Sequence, residues 1–189
     1  MDMKQRKREL RKEVKAAIAS LDPGYCREAD GKIAASILAL PEYQRAKTVF
    51  CFVSTDTEIN TAPIIEDAWR QGKRVGVPRV EKMGIMHVYE IRSWEDLEDG
   101  FYGIREPGKA APLIQPEELD FVVMPCLCCG HDGRRLGYGG GFYDRYMERL
   151  STPRAVICRE KIMRDDIPVD VHDLMVEMVI SEDGVRRLK

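Results

Sequence analysis

The chain has 189 residues, 33% of them charged and 44% hydrophobic, with a formal net charge of -2. That length suits a single domain spanning 1–189 with a sizeable core, and the balanced charge gives no reason to expect nucleic acid or an acidic membrane surface as partner. No apolar run approaches bilayer length, and the basic N-terminus lacks the hydrophobic segment of a secretory signal.

Glu9 and Glu13 argue against an organelle transit peptide. Six cysteines are present, and Cys51, Cys128 and Cys158 sit among apolar neighbours as buried free thiols do. A reducing cytoplasm is the expected location.

In chain order, residues 4–21 predict a helix, with Leu10, Val14, Ala17, Ile18 and Leu21 recurring at helical spacing. These five fall within an arc of about 100°. Lys7 projects inside that arc and Arg11 just past its edge, whereas Arg8, Lys12 and Lys15 project to the far side. Two readings stand for Lys7 and Arg11: they snorkel over apolar surface, or they face a ligand. A second helix is expected over 26–40, with Ala29, Ile33, Ser36, Ile37 and Leu40 inward and Pro41 closing it.

Thr48–Val53 reads as a central strand buried on both faces. It runs into a polar loop, Ser54 to Thr61. Thr61 then caps a helix with Pro63 in its first turn, and Gly72 stops it. Arg74–Pro78 gives the next strand, so this strand–helix–strand unit implies a parallel crossover. Ligands of such sheets sit beyond the carboxyl ends of the strands, where Glu58 falls. A lone carboxylate in a polar loop is otherwise a solvated residue.

Further strands are expected at Met86–Ile91, Phe121–Pro125, Arg154–Cys158 and Val176–Ile180, with a capped turn at Ser93–Asp96. Phe101 and Tyr102 wall a flat ligand or lid the core. Phe142, Tyr146, Met147 and Leu150 mark one helix face. Asp165, Asp166, Asp170 and Asp173 form an acidic loop, in which His172 has a surface role. The alternation predicts an α/β fold, a three-layer α/β/α domain with a mostly parallel central sheet.

The stretch Gly133–Arg145 gathers five glycines, three arginines, two tyrosines and Asp144. Glycine loses the most backbone entropy on ordering, so such density fits a backbone that approaches a ligand closely. A glycine-rich turn entering a helix suits phosphate, Arg135 supplies a fork for its oxygens, and Asp144 suits magnesium. The stretch is no Walker A, because no Gly-Lys-Ser/Thr follows, and no dinucleotide fingerprint, because Phe142 stands at the third glycine's place. Cys126, Cys128 and Cys129 fit no paired CxxC zinc pattern, so no metal is expected on them. Together the residues describe a nucleoside triphosphate used with magnesium on a second, aromatic or amine-bearing substrate.

Arg135-Leu136-Gly137-Tyr138-Gly139-Gly140-Gly141-Phe142-Tyr143-Asp144-Arg145 closely resembles the signature of 5-formyltetrahydrofolate cyclo-ligases. Lys7-Arg8-Glu9-Leu10-Arg11 resembles that family's N-terminal Lys-x-x-Leu-Arg, Glu58-Ile59-Asn60-Thr61 its folate loop, and Gly103–Pro107 its Gly-Ile-x-Glu-Pro segment. Asp173 falls at its late aspartate.

The resemblance implies a three-layer α/β sandwich of the broad class shared with sugar-phosphate isomerases. It also implies conversion of 5-formyltetrahydrofolate and ATP to 5,10-methenyltetrahydrofolate, ADP and phosphate with Mg2+, through phosphorylation of the formyl oxygen and ring closure by N10. Lys7, Arg8 and Arg11 would then serve ATP with Arg135 and the segment Leu136–Tyr143. Val53 and Glu58, together with Tyr138–Phe142, would serve the folate, and Asp144 and Asp173 the metal. Arg135 and Tyr143 would flank the reacting centre. A monomer or weak dimer is expected, and a non-catalytic nucleotide- or folate-binding paralogue is the alternative.

Two departures stand out. The usual Gly-x-Ala-Phe-Asp after the proline is here Cys126-Leu127-Cys128-Cys129-Gly130, and Phe142 replaces a usual tyrosine.

Overall fold

The chain runs through α1 (Met3–Ala19), α2 (Pro23–Leu38), α3 (Pro41–Arg45), β1 (Thr48–Cys51), α4 (Ala62–Arg70), β2 (Arg74–Lys82) and β3 (Ile85–Ile91). There follow β4 (Leu97–Asp99), β5 (Arg105–Pro107), β6 (Leu113–Ile114), β7 (Phe121–Met124), β8 (Cys128–Cys129) and β9 (Arg135–Leu136). The last elements are α5 (Phe142–Met147), β10 (Arg154–Ile157), β11 (Met178–Ser181) and β12 (Gly184–Arg187). The computed structural model describes residues 2–82, 84–100, 103–170 and 173–188. Phe101, Tyr102 and His172, singled out in the sequence, lie outside them.

One eight-stranded sheet has the order β12-β11-β10-β7-β1-β2-β3-β6. Its centre, from β11 through β2, is parallel, and β3, β6 and β12 join the edges antiparallel. The expected mostly parallel sheet is therefore present. Successive side chains of a strand point to opposite faces, and both faces are covered. Val49, Cys51, Phe121, Val123, Ala155 and Ile157 face one core with α2, α3 and α4. Phe50, Val122, Met124 and Val156 face the other with Leu10 and Val14 of α1 and Tyr146 and Met147 of α5. These are the three layers.

Several local expectations shift. α2 begins at Pro23, three residues earlier than its apolar spacing suggested, because Asp22 caps it by accepting from the Tyr25 N–H at 2.8 Å with Pro23 in the first turn. Pro41 opens the short α3 rather than only ending α2. Thr61 is the N-cap residue of α4, but its hydroxyl donates to the Phe52 carbonyl at 2.8 Å instead of capping. The strand β12 and the small pairs β4–β5 and β8–β9 were not expected from the sequence. No helix of the described residues is long and apolar enough to cross a membrane.

The acidic loop is fastened to the β8–β9 hairpin by His131, whose Nε2 lies 2.6 Å from Glu160 and Nδ1 3.0 Å from Asp165. Hydrogen bonds to Glu160 and then Asp165 hold the imidazole pKa above its ordinary value. A raised folded-state pKa contributes stability that is fully present below the unfolded value, about 6.5, and is lost as pH rises through the folded value. His131→Gln is therefore expected to lower the melting temperature at pH about 5.5 and to have little effect at pH about 9. An equal loss at both pH values would show that the ring acts by packing alone.

Candidate active site

Helix α1 turns Lys7 and Arg11 to the same side as the buried Leu10 and Val14. Lys7 Nζ pairs with Asp173, whose carboxylate also accepts from the Asp170 N–H at 2.6 Å. Arg11 Nε donates to the Gly137 carbonyl at 2.9 Å. Both cations therefore reach the glycine-rich loop and the late aspartate rather than only covering apolar surface. Arg8 is exposed on the far side.

The loop itself is held open by backbone that other residues rarely adopt. Gly139 has φ 105°, and a Cβ there would sit 3.4 Å from the Arg11 guanidinium carbon. Gly141, φ 64°, caps α5, and a Cβ would come within 2.8 Å of Arg145. The helix that follows has only six residues. Its dipole is correspondingly limited, so Lys7, Arg11 and Arg135 carry most of the positive character here.

Arg135 is held on β9 by pairing with Cys129 of β8. Its side chain is only 4% exposed, and it donates to Asp144 at 2.6 Å and to the Pro125 carbonyl at 3.1 Å. Among the described residues its Nε is buried without a partner. An orphaned guanidinium N–H beside a carboxylate at a glycine loop is a donor set suited to an anion. Leu136 is a core residue whose carbonyl accepts from Leu127, and Phe142 is part-buried with the Arg145 guanidinium over its ring.

Glu58 stands beyond the carboxyl end of β1, as the strand-end argument expects. Its Oε2 accepts from the Thr55 N–H at 2.9 Å and the Thr55 hydroxyl at 3.0 Å, and its Oε1 from the Tyr138 hydroxyl at 3.0 Å. Tyr138 thus ties the glycine loop to the Glu58 loop. Tyr138 as a whole is 49% exposed, but desolvation of its hydroxyl end beside Glu58, then the Glu58 charge, raises that phenol's pKa above its ordinary value. Tyr143 stacks on Phe50 at 5.9 Å with rings 6° apart. Burial first, and the Glu58 charge second, hold its pKa high as well. Val53 packs part-buried against the core at the α2–α4 side.

Arg159, which the sequence reading passed over, positions Glu58. It is 6% exposed, pairs with Asp30 at 2.7 and 2.9 Å, and donates to the Glu58 carbonyl at 3.0 Å and the Thr57 carbonyl at 3.4 Å. Its place just after β10 was the available signal, since sites gather at strand carboxyl ends. A small cavity of about 30 Å³, room for a water molecule, lies between Glu58, Cys126, Tyr138, Cys158 and Arg159.

The family model described as the 5-formyltetrahydrofolate cyclo-ligase family matches residues 3–182. A Mus musculus protein named 5-formyltetrahydrofolate cyclo-ligase is 30% identical over 192 residues, covering 94% of each chain. An Escherichia coli K12 protein of the same name is 28% identical over 172 residues, 88% of this chain and 94% of that one. Among solved structures, Aquifex aeolicus 5,10-methenyltetrahydrofolate synthetase superposes with a TM-score of 0.84 at 28% identity, over 97% of this chain and 93% of that one.

Proposed function

The chain belongs to the 5-formyltetrahydrofolate cyclo-ligase family of enzymes, and from that premise we propose that it closes 5-formyltetrahydrofolate to 5,10-methenyltetrahydrofolate in the cytoplasm, using ATP and Mg2+ and releasing ADP and phosphate. The observation that carries this reading is the meeting of Lys7 and Arg11 of α1 with the glycine loop and Asp173, segments from opposite ends of the chain.

Phosphoryl transfer asks a protein mainly for positioning and charge neutralisation. Lys7, Arg11 and Arg135 would bind ATP phosphates, with the backbone of Gly137–Gly141. Asp144 and Asp173 are part-buried carboxylates and suit Mg2+, which takes one or two carboxylates and fills its remaining positions with water and phosphate oxygens. Magnesium there would neutralise charge on the phosphates. Each acid is now paired with a cation, so ligand binding would exchange partners: cations turn to phosphate and carboxylates are released.

On the folate side, the Glu58 carboxylate would accept from the pterin edge, with Val53 beside it. Oε1 is at present taken by Tyr138, and the adjoining cavity is far smaller than a ligand pocket of roughly 300 Å³ or more. Folate entry therefore requires Tyr138 to swing away on its glycine neighbours. Tyr143, held protonated, would act at the reacting centre as an O–H donor, not as a base.

Purified protein mixed with 5-formyltetrahydrofolate, ATP and Mg2+ is expected to develop the methenyl-folate absorbance, and to fail when ATP is omitted. Folded protein that gives no ATP-dependent absorbance would overturn the assignment.

A further inference from the structure

The cysteines that no sequence spacing joined are brought together by the fold. Cys126 follows β7, Cys129 lies in β8, and Cys158 follows β10. Their three sulfur atoms all lie within 4.8 Å of one another. Cys126 Sγ donates to the Ile157 carbonyl at 3.2 Å and Cys158 Sγ to the Arg159 carbonyl at 3.6 Å, and all six cysteines of the chain are free. Cys129 and Cys158 are buried, while Cys126 and Cys158 line the water-sized cavity beside Glu58.

Three thiolates at about 2.3 Å from a tetrahedral zinc ion stand roughly 3.8 Å apart, so small side-chain rotations would close this triangle on an ion. Sulfur ligands select soft ions over Mg2+. Thiols ligate a metal only as thiolates, so occupancy would release their protons. The cavity offers room for a water as fourth ligand. Among the described residues this is the one group of three or more His, Cys, Asp or Glu side chains so arranged.

We propose that Cys126, Cys129 and Cys158 bind one soft thiophilic cation of the Zn2+ class, with the fourth position facing the cavity next to Glu58. The site is independent of the folate and nucleotide reading. Pairing by sequence missed it because Cys158 arrives from a different strand, whereas Cys128, adjacent to Cys129 in β8, is not one of the three.

The test is a titration of reduced, metal-free, full-length protein with Cd2+, following thiolate-to-metal charge-transfer absorbance, with Zn2+ as competitor. Saturation at one equivalent per chain is expected, reversed by Zn2+ only in excess because Cd2+ is the softer ion. Cys128→Ser and Cys51→Ser should leave it unchanged. Cys126→Ser, Cys129→Ser and Cys158→Ser should each weaken binding by at least about 100-fold, since even losses outside the ligand shell cost roughly 10–100-fold. Absence of the absorbance in the wild-type protein would overturn the site, as would its survival in all three variants or its loss in Cys128→Ser. Should a serine variant not fold, the wild-type stoichiometry and the Cys128→Ser result still decide. A chain that takes no Cd2+ and loses two titratable thiols in air would reveal a disulfide pair instead and overturn the metal site.

Discussion

Arg135→Lys is expected to lower kcat by roughly 10³-fold or more while leaving the protein folded. The lysine keeps a positive charge in the 4% exposed position. It cannot reproduce a planar fork that grips Asp144 and the Pro125 carbonyl and still holds a buried Nε–H free for a ligand oxygen. Lysine for arginine is not conservative at such a site, and arginines that stabilise a transferring phosphoryl group are worth about 10³–10⁵ in rate. Steady-state kinetics with a parallel thermal melt would check it. A kcat within about ten-fold of wild type would remove Arg135 from the reacting centre.

Asp144→Asn extends the same experiment. If Asp144 serves only to hold Arg135, its effect should vanish in the Arg135→Lys background, because residues acting as a unit are non-additive. If it also serves the metal, the Mg2+ concentration for half-maximal activity should rise in both backgrounds.

Arg159→Ala is expected to destabilise the fold by about 3–5 kcal/mol, the usual result of stranding one member of a buried ion pair. Here the side chains of Arg159 and Asp30 are 7% and 12% exposed, so little solvent screening offsets the loss. The Thr57 and Glu58 carbonyls would lose their donor at the same time. The double variant Asp30→Leu/Arg159→Met separates the two roles. It should recover much of the stability, since apolar replacement of a whole buried pair is often neutral. It should not recover the KM for folate, because the Glu58 loop remains unfastened. Urea unfolding and folate KM measured on the same variants would decide. A double variant with wild-type KM would reduce Arg159 to a structural residue.

The layered fold was legible because its parts are local. Thr48–Cys51, Phe121–Met124, Arg154–Ile157 and Met178–Ser181 are short apolar runs, and a strand covered on both faces must read that way. Helix α1 was legible from its apolar stripe, and Lys7 and Arg11 could be aimed inward by angle alone. The boundaries that moved are those where a side chain had a choice of partner. Asp22 capped α2 earlier than its apolar residues indicated, and the Thr61 hydroxyl turned to the Phe52 carbonyl. The short pairs β4–β5 and β8–β9 have too few residues to show a period.

By itself the sequence determined the order of the central strands and of the longer helices around them, and the residue types gathered in the glycine-rich loop. Those properties depend on neighbours along the chain. Which groups meet was decided only by the tertiary structure: Lys7 with Asp173, Arg11 with Gly137, Tyr138 with Glu58, Arg159 with Asp30, and the three thiols. Each pairing joins segments far apart in the chain, so it forms only once the strands have taken their order in the sheet.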